Sequence, residues 1–224
     1  MLITDEFVAK YSAAVRRAAA TTDDAKLAIM LTVATDELAV STAAEAVALV
    51  VSSERVNVDM HAWLSHAKTH PMNWVVRSWQ PVAVDMEFRC FVFGGKITAI
   101  SQYNHNCFFK RLVAQKARLQ ALLLDFFAAH CQTSCNALYP DGYVLDLAVM
   151  GESLDEVLVI EINPGLSSTS GCLFDWVVDK AQIHEGGGGA AGLPEFRVRE
   201  APDPELRTKL RPDWSILLDI DVAG

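Results

Sequence analysis

The sequence predicts an α+β fold, in which amphipathic helices accompany strands that pair as antiparallel hairpins. The clearest hairpin joins MEFRCFVF to KITAISQ through Gly94 and Gly95, a two-residue connection that supplies the positive φ of a tight turn. A second pair of apolar runs, YVLDLAV and VLVIEIN, flanks the polar turn GESLDE. The longest helical pattern runs from Lys110 to His130 and carries one apolar stripe. The α+β prediction rests on these two strand pairs and this helix.

The composition indicates a soluble globular protein of one domain or two small ones. The chain has 224 residues, of which 51% are hydrophobic and 21% are charged. A net charge of −9 argues against nucleic-acid binding and against an anionic membrane surface, and no apolar run reaches transmembrane length. The cysteines are odd in number and lack CxxC pairs, so we expect neither a disulfide scaffold nor a zinc site. A cytoplasmic location is therefore predicted.

The first eighty residues alternate between predicted helices and short strands. Residues 5–20 carry apolar side chains at helical spacing, and Ser41–Val51 starts with a cap-like Ser-Thr pair, so both are predicted to be helices. Leu27–Val33 is a short apolar run and is predicted to be a strand. Trp74–Trp79, which reads WVVRSW, is predicted to be a strand with one charge in it.

The remaining segments carry weaker signals. His61, His66 and His70 have no HExxH pattern or cysteine partner, so a solvated helix-to-loop segment is predicted there. CLFDWVV is predicted to be a strand or a short helix, and HEGGGGAAG at 184–192 a flexible insert. PEFRVRE is predicted to be a strand and RPDWSILLDI a docked tail.

Two acids interrupt apolar strands where valine or isoleucine would be expected. Asp146 lies in YVLDLAV and Glu161 in VLVIEIN. Side chains alternate along a strand, so Glu161 and Asn163 project from one face, and Asp146 can meet them if the strands pair. Magnesium accepts such oxygen ligands and takes others from water and substrate phosphates. The alternative is a solvated strand face, although an unpaired buried carboxylate is costly and calls for a cationic partner.

Arg89 presents a similar choice. Alternation along MEFRCFVF separates two faces, one with Met86, Phe88, Cys90 and Val92, the other with Glu87, Arg89, Phe91 and Phe93. A guanidinium among aromatic side chains needs a partner. Phosphate is one candidate, because arginine presents a planar fork of donors. Glu87 or a core acid is the other, and the residue pattern leaves both open.

Several of these runs, in this order and at this spacing, resemble the cell division cycle protein 123 family. They are WVVRSW, MEFRCFV, ITAISQ, YVLDLAV, VIEINPG and CLFDW, followed by PEFRV and RPDWSILLDI. That family has the ATP-grasp fold, so the resemblance implies two α+β lobes with antiparallel sheets that hold nucleotide between them. It implies a partial small lobe at 1–73, and a C-terminal lobe at 74–224 with a Gly-rich insert at 186–192.

The resemblance also implies a site for ATP and Mg²⁺. It assigns the metal ligands to Asp146, Glu161 and Asn163. The ATP-binding positions that it implies are Arg16, Val76, Arg77, Ser78, Trp79 and Arg89. Of these, Arg16 takes the place of the family's lysine, and Arg89 would face phosphate.

The chain departs from the family pattern at several positions. Glu161 replaces the usual aspartate, a change that magnesium tolerates. Tyr103 and Asn104 stand where the family places Arg-Asp, Val51 where it places lysine, and Ser170 or a neighbour where it places aspartate. The segment that usually precedes the small lobe is largely missing. Lost cations are expected to weaken phosphate binding, whereas the retained metal ligands indicate that binding persists.

Three functions are compatible with this resemblance. The first is an ATP- and Mg²⁺-binding assembly factor for eukaryotic translation initiation factor 2, with that factor's γ subunit as partner. The second is an ATP-dependent carboxylate-amine ligase that works through an acyl phosphate. The third is a degenerate ATP-grasp protein that binds a partner without nucleotide. The intact metal ligands argue against the third, and no recognisable acceptor motif supports the second. The first is therefore the predicted function. Whether the protein has enzymatic activity stays open.

Overall fold

The computed structural model describes residues 3–64 and 73–220, and contacts divide the chain into two compact units. The helical unit comprises Met1–Pro81 and Pro212–Gly224, and the sheet unit comprises Val82–Arg211. The contacts thus separate the units after Pro81 and group the C-terminal residues with the helical unit. The sequence, in contrast, predicts a boundary after residue 73 and a second lobe that runs to the C-terminus.

Threonine side chains cap the first turns of the first three helices of the helical unit. In the described residues this unit contains α1 (Asp5–Ala18), α2 (Asp23–Asp36), α3 (Ala43–Ser52), α4 (Glu54–Leu64) and the C-terminal helix Pro212–Leu217. Thr4, Thr22 and Thr42 each accept a hydrogen bond from the backbone N–H three residues further on. The helices predicted at 5–20 and 41–51 are confirmed.

Lys26 on α2 holds the C-terminal segment of the helical unit. Its Nζ donates to the carbonyl oxygens of Leu218 and Ile220, each at 2.8 Å. Lys26 is buried, so its ammonium needs hydrogen-bond acceptors, and these two carbonyls after the Pro212–Leu217 helix supply them. Leu217 and Leu218 are buried beside it, so the docked tail predicted from the sequence is confirmed.

Two strand predictions in the helical unit are wrong. Leu27–Val33 lies inside α2, whose first turn is capped by Thr22 and whose Leu27 and Met30 are buried. A short apolar run does not distinguish a buried strand from part of a helix. Trp74–Trp79 has no regular secondary structure, and Val75 and Val76 are exposed instead of packed against a neighbouring strand.

The histidine-containing segment is described only in part. His61 lies in α4, as a helix-to-loop segment predicts. His66 and His70 lie outside the described residues.

A five-stranded mixed sheet forms the centre of the sheet unit, in the order β4-β3-β1-β2-β5. Its strands are β1 (Glu87–Phe93), β2 (Lys96–Gln102), β3 (Tyr143–Met150), β4 (Glu156–Pro164) and β5 (Glu195–Arg197). Strand β5 runs parallel to β2, and the other pairs are antiparallel. Gly94 and Gly95 make the β1–β2 turn with φ of 57° and 77°. Both predicted hairpins and the predicted PEFRV strand are confirmed.

One face of the sheet packs against a long helical segment. This segment contains α5 (Lys110–Phe126), a π-helical turn (Phe127–Cys131) and α6 (Gln132–Leu138). The buried core between sheet and helix includes Phe88, Cys90, Leu112, Leu119, Leu123, Leu145, Leu147 and Phe196. The helix predicted from Lys110 is confirmed, and helical structure continues past His130. The β1 face predicted to carry Met86, Phe88, Cys90 and Val92 is the one in this core.

The opposite face of the sheet is partly covered by the chain that follows β4. Phe91, Phe93, Ala99 and Val144 pack there against Phe174, Trp176 and Ile183. CLFDWVV itself forms turns, so its prediction as a strand or short helix is wrong. The indole Nε1 of Trp176 donates to the carbonyl of Thr169 at 2.7 Å, and aromatic packing replaces strand pairing as the anchor of this segment.

Three short helical segments complete the sheet unit. They are α7 (Lys180–His184), a 3₁₀ turn (Ala190–Gly192) and α8 (Leu206–Lys209). Within the described residues, no helix is both long enough and apolar enough to cross a membrane.

Candidate functional site

A row of polar residues crosses the sheet face that lies opposite α5. Strand register aligns Arg197 on β5, Ser101 on β2, Arg89 on β1, Asp146 on β3 and Glu161 on β4. Residues directly opposite one another on neighbouring strands project from the same face of a sheet. The row therefore places both acids and both guanidinium groups on one surface.

A β-bulge in β4 sets the direction of its acid. Asp146 lies opposite Glu161, but Leu147 lies opposite Val159, so Ile160 is an additional residue in β4. Val159 packs into the core beneath the sheet, although strict alternation would place it on the same face as Glu161. The bulge lets an apolar strand remain packed on α5 while its acid and the following Asn163 lie on the opposite face.

Arg89 and Asp146 form a bidentate ion pair inside this row. The Nε of Arg89 donates to Oδ1 of Asp146 at 2.9 Å, and Nη2 donates to Oδ2 at 2.7 Å. The Arg89 and Asp146 side chains are 5% and 0% exposed, so the pair is withdrawn from water. A core acid, one of the partners that the sequence leaves open for Arg89, is thus in contact with it in this structure.

The Arg89 guanidinium also contacts Ser170 and Tyr103. Nη1 of Arg89 donates to the carbonyl of Ser170 at 2.7 Å, and the guanidinium carbon lies 4.9 Å from the centre of the Tyr103 ring. Arg89 thereby joins β1 to β3 and to the chain after β4.

Asn163 links the two acids. Its Nδ2 donates to Oδ2 of Asp146 and to Oε1 of Glu161, both at 3.0 Å. Asp146 is fully buried, whereas Glu161 is exposed. The structure therefore brings together the three residues expected to bind metal, with Glu161 at the solvent side.

Burial and ion pairing have opposing effects on the pKa values of this network. Burial raises the pKa of Asp146 above its ordinary value, and the hydrogen bonds and charge of Arg89 oppose that rise. The pKa of Arg89 lies above its ordinary value, because the pairing with Asp146 outweighs the effect of burial. Burial also raises the pKa of Tyr103 to about 12 and that of Cys172 to about 11. The Tyr103 phenol and the Cys172 thiol beside the pair are therefore protonated at neutral pH.

The residues expected to bind ATP are divided between the two units. Arg89 belongs to the sheet unit. Arg16 is exposed in the last turn of α1, and Val76, Arg77, Ser78 and Trp79 lie in the irregular segment before the sheet unit. Their roles toward nucleotide stay predictions.

A sequence model of the D123 family matches residues 23–209. The chain belongs to the D123 family. The predicted membership of the cell division cycle protein 123 family is confirmed. Membership extends across both units, because the match begins in α2 and ends in α8.

Curated proteins with sequence similarity to this chain share the name "Translation initiation factor eIF2 assembly protein". The one from Dictyostelium discoideum is 31% identical over 106 residues, 47% of this chain and 26% of the relative. The one from Xenopus laevis is 27% identical over 150 residues, 62% of this chain and 43% of the relative. The chain therefore spans less than half the length of these relatives.

The fold is similar to a solved structure of Cdc123 from Schizosaccharomyces pombe. The TM-score is 0.56 at 23% identity, over 75% of this chain and 65% of that one. The predicted α+β, ATP-grasp-like fold is confirmed by this similarity. In this D123-family chain the sheet is mixed, since β5 runs parallel to β2.

The donor set of the D123-family chain fits a hard cation. Two carboxylates and an amide oxygen, from Asp146, Glu161 and Asn163, are ligand types that Mg²⁺ accepts, with water and phosphate completing its shell. Among the described residues, no cluster of three or more His, Cys, Asp or Glu could hold a metal ion. Any metal here would accordingly rely on the amide and on ligands from outside the chain.

Sequence reasoning missed the groups that surround Arg89 from outside the strands. Ser170 and Cys172 come from the turns after β4, and Cys172 adopts a left-handed φ of 55° with its N–H on the Ser170 hydroxyl. Tyr103 follows directly after β2. Tyr103 and Ser170 were visible in the sequence only as departures from the family pattern, which is the signal that could have identified them.

Proposed function

We propose that this chain is an ATP- and Mg²⁺-binding protein of the ATP-grasp fold that acts as an assembly factor for translation initiation factor eIF2. The names of the relatives support the assembly role. The buried Arg89–Asp146 pair, with Glu161 and Asn163 beside it, is the observation that supports binding of nucleotide and metal. The expected location is the cytoplasm.

Each residue of the network has a distinct part in this proposal. Asp146, Glu161 and Asn163 would hold Mg²⁺, which when bound supplies positive charge to the β- and γ-phosphates. Arg89 would direct its planar fork to phosphate oxygens. Arg16 and residues 76–79 are further proposed nucleotide contacts, on the basis of the family resemblance alone.

Burial explains why these groups suit a charged ligand. An arginine and a carboxylate withdrawn from water interact with added charges more strongly than exposed groups do, because the local dielectric is low. Tyr103 covers one side of the guanidinium and limits its contact with water. A phosphate that reaches the guanidinium would therefore interact with it more strongly than it would with an exposed arginine.

The assembly role requires a protein partner, for which we propose the γ subunit of eIF2. Bound nucleotide would order the residues that it contacts, and the partner would dock on an exposed face. A carboxylate-amine ligase would instead consume ATP in the presence of a small acceptor.

Calorimetric titration of the chain with a non-hydrolysable ATP analogue, with and without Mg²⁺, tests the proposal. Glu161→Gln should remove the Mg²⁺-dependent part of the affinity and leave the fold intact, because Glu161 is exposed. Glu156→Gln, an exposed acid at the other end of β4, is the matched control and should bind like the wild type. Equal affinity with and without Mg²⁺ would contradict the metal assignment.

Co-purification of the chain with the eIF2 γ subunit tests the partner. Capture that strengthens with nucleotide supports the assembly role. ATP turnover without γ subunit, on addition of a carboxylate and an amine, would favour the ligase.

A further inference from the structure

The buried acid of the candidate site already has a cation of this chain as its partner. Arg89 donates to Oδ1 of Asp146 at 2.9 Å and to Oδ2 at 2.7 Å. Asn163 adds a third hydrogen bond, to Oδ2, at 3.0 Å. Both oxygens of Asp146 therefore accept N–H donors at the positions where a metal ligand would offer its lone pairs.

Asn163 is arranged in the same way. Its Nδ2 donates to Asp146 and to Glu161, so the N–H side of the amide lies between the acids. Magnesium takes oxygen ligands, which means that Asn163 must turn its amide to present Oδ1 before it can bind the ion. In this arrangement the Asn163 amide joins both acids through hydrogen bonds, and Arg89 pairs with Asp146.

Electrostatics disfavours adding a metal to this network. A divalent cation at Asp146 would lie beside the guanidinium of Arg89, and like charges repel strongly where the dielectric is low. Arg89 can leave Asp146 only if another anion takes its place, because a buried cation without a partner is costly. Phosphate matches its planar fork and carries the required charge.

We propose that Arg89 is the internal counter-ion of Asp146, which keeps metal away from the acids until phosphate takes over the guanidinium. This inference rests on the proposed function, since it concerns the regulation of the same site. When phosphate binds Arg89, Asp146 is released and becomes available to Mg²⁺ together with Glu161. Each ligand then raises the affinity for the other, and by thermodynamic linkage the two effects are equal.

Binding of Mn²⁺ without nucleotide, followed by electron paramagnetic resonance, tests this role. Mn²⁺ replaces Mg²⁺ in this experiment because it accepts the same oxygen ligands and gives a paramagnetic resonance signal. Arg89→Gln removes the internal charge, so we expect this variant to bind Mn²⁺ at least about tenfold more tightly than the wild type, the equivalent of one charge-assisted hydrogen bond. The double variant Arg89→Gln/Glu161→Gln should lose that gain.

Arg111→Gln provides the matched control. Arg111 also forms a bidentate pair, with Asp85, through Nε at 2.7 Å and Nη2 at 2.5 Å, but its side chain is 48% exposed. The Arg111→Gln variant should bind Mn²⁺ with the same affinity as the wild type. A folded Arg89→Gln variant with wild-type Mn²⁺ affinity would overturn the proposal, as would a gain that Glu161→Gln leaves unchanged.

A second measurement uses the wild-type chain and does not depend on the stability of Arg89→Gln. The nitrogen-15 resonance of the Arg89 Nε–H group, assigned by its loss in Arg89→Lys, reports the bond to Asp146. The chemical shift of this resonance should be unchanged when Mg²⁺ alone is added, and it should change when Mg²⁺ and the ATP analogue are added together. A shift with Mg²⁺ alone, or bound nucleotide without a shift, contradicts the proposal. Failure of the analogue to bind would instead defeat the proposed function, and the Mn²⁺ comparison would still decide the role of Arg89.

Discussion

Val159 and Glu161 are two residues apart on β4, yet they lie on opposite faces of the sheet. Val159 packs into the core against α5, and Glu161 lies opposite Asp146 on the polar face. The additional residue at Ile160 reverses the alternation between them. One strand can thereby contribute both to a dry core and to a site for charged ligands.

The core between the sheet and α5 should be the main source of stability in the sheet unit. Leu123 on α5 is fully buried, whereas Leu138 on α6 is 72% exposed. We expect Leu123→Ala to lower the free energy of unfolding by about 2–5 kcal/mol, because it leaves a cavity against the sheet. Leu138→Ala, the matched control, should change it by less than about 0.5 kcal/mol. Urea denaturation followed by far-ultraviolet circular dichroism measures both, and similar losses would contradict the burial pattern.

The Arg89–Asp146 and Arg111–Asp85 ion pairs are both bidentate, but they should differ in their contribution to stability. Asp146→Asn leaves the buried Arg89 without a charged partner, so we expect a loss of about 3–5 kcal/mol. Asp85→Asn breaks a pair whose arginine is about half exposed, and its effect should be about 0–1 kcal/mol. Equilibrium unfolding of both variants in the same buffer checks the difference. Equal effects would mean that Asp146 is not desolvated in solution.

The parts of the fold predicted from sequence are those with a clear local period. Alternation along β1 identified its two faces, and Gly94-Gly95 identified the turn after it. The pairing of β3 with β4 was predicted in the same way, which brought Asp146 and Glu161 together. Local geometry suffices where a two-residue period and a turn signal act on the same segment.

The errors fall where the sequence has no such period. Leu27–Val33 is too short and too uniformly apolar to separate strand from helix, and the cap at Thr22 decided the outcome. Trp74–Trp79 carries strand-forming residues, but a strand forms only when a neighbouring strand pairs with it. The contacts of Arg89 with Ser170 and Tyr103 depend on tertiary packing, so no local pattern could predict them.

The stability of the sheet unit should decrease as the pH falls through the range in which histidine titrates. Burial lowers the pKa of His105 below its ordinary value of 6.5, and the charges of Arg199 and Arg89 act in the same direction. Below that value the unfolded chain binds a proton that the folded chain resists, so the stability present at neutral pH is lost on acidification.

Urea midpoints measured between about pH 7 and pH 5 test the titration of His105. The decrease in the midpoint should be smaller in His105→Gln than in the wild type. His130→Gln, at an exposed position of the π-helical turn, is the control and should retain the wild-type decrease. A wild-type decrease that His105→Gln leaves unchanged would assign the pH dependence to other groups.

Arg197 should fix the chain that follows β4 onto the polar face of the sheet. Its Nη1 and Nη2 each donate to Asp179 at 2.8 Å, and its guanidinium carbon lies 4.0 Å from the centre of the Phe174 ring. Lysine can reproduce neither the fork nor the stacking, so we expect Arg197→Lys to increase amide hydrogen exchange across residues 171–184.

Arg118→Lys offers a control for Arg197→Lys, since Arg118 donates to carbonyl groups of the β3–β4 turn at Ser153 and Leu154. In Arg118→Lys, amide hydrogen exchange should increase in the β3–β4 turn and stay at wild-type rates in residues 171–184. The comparison also concerns the candidate site. Ser170, whose carbonyl accepts a hydrogen bond from Arg89, directly precedes the segment 171–184 that Arg197 contacts. If Arg197→Lys leaves exchange in 171–184 unchanged, the aromatic contacts of Phe174 and Trp176 suffice to hold the segment, and Arg197 serves only the edge strand β5.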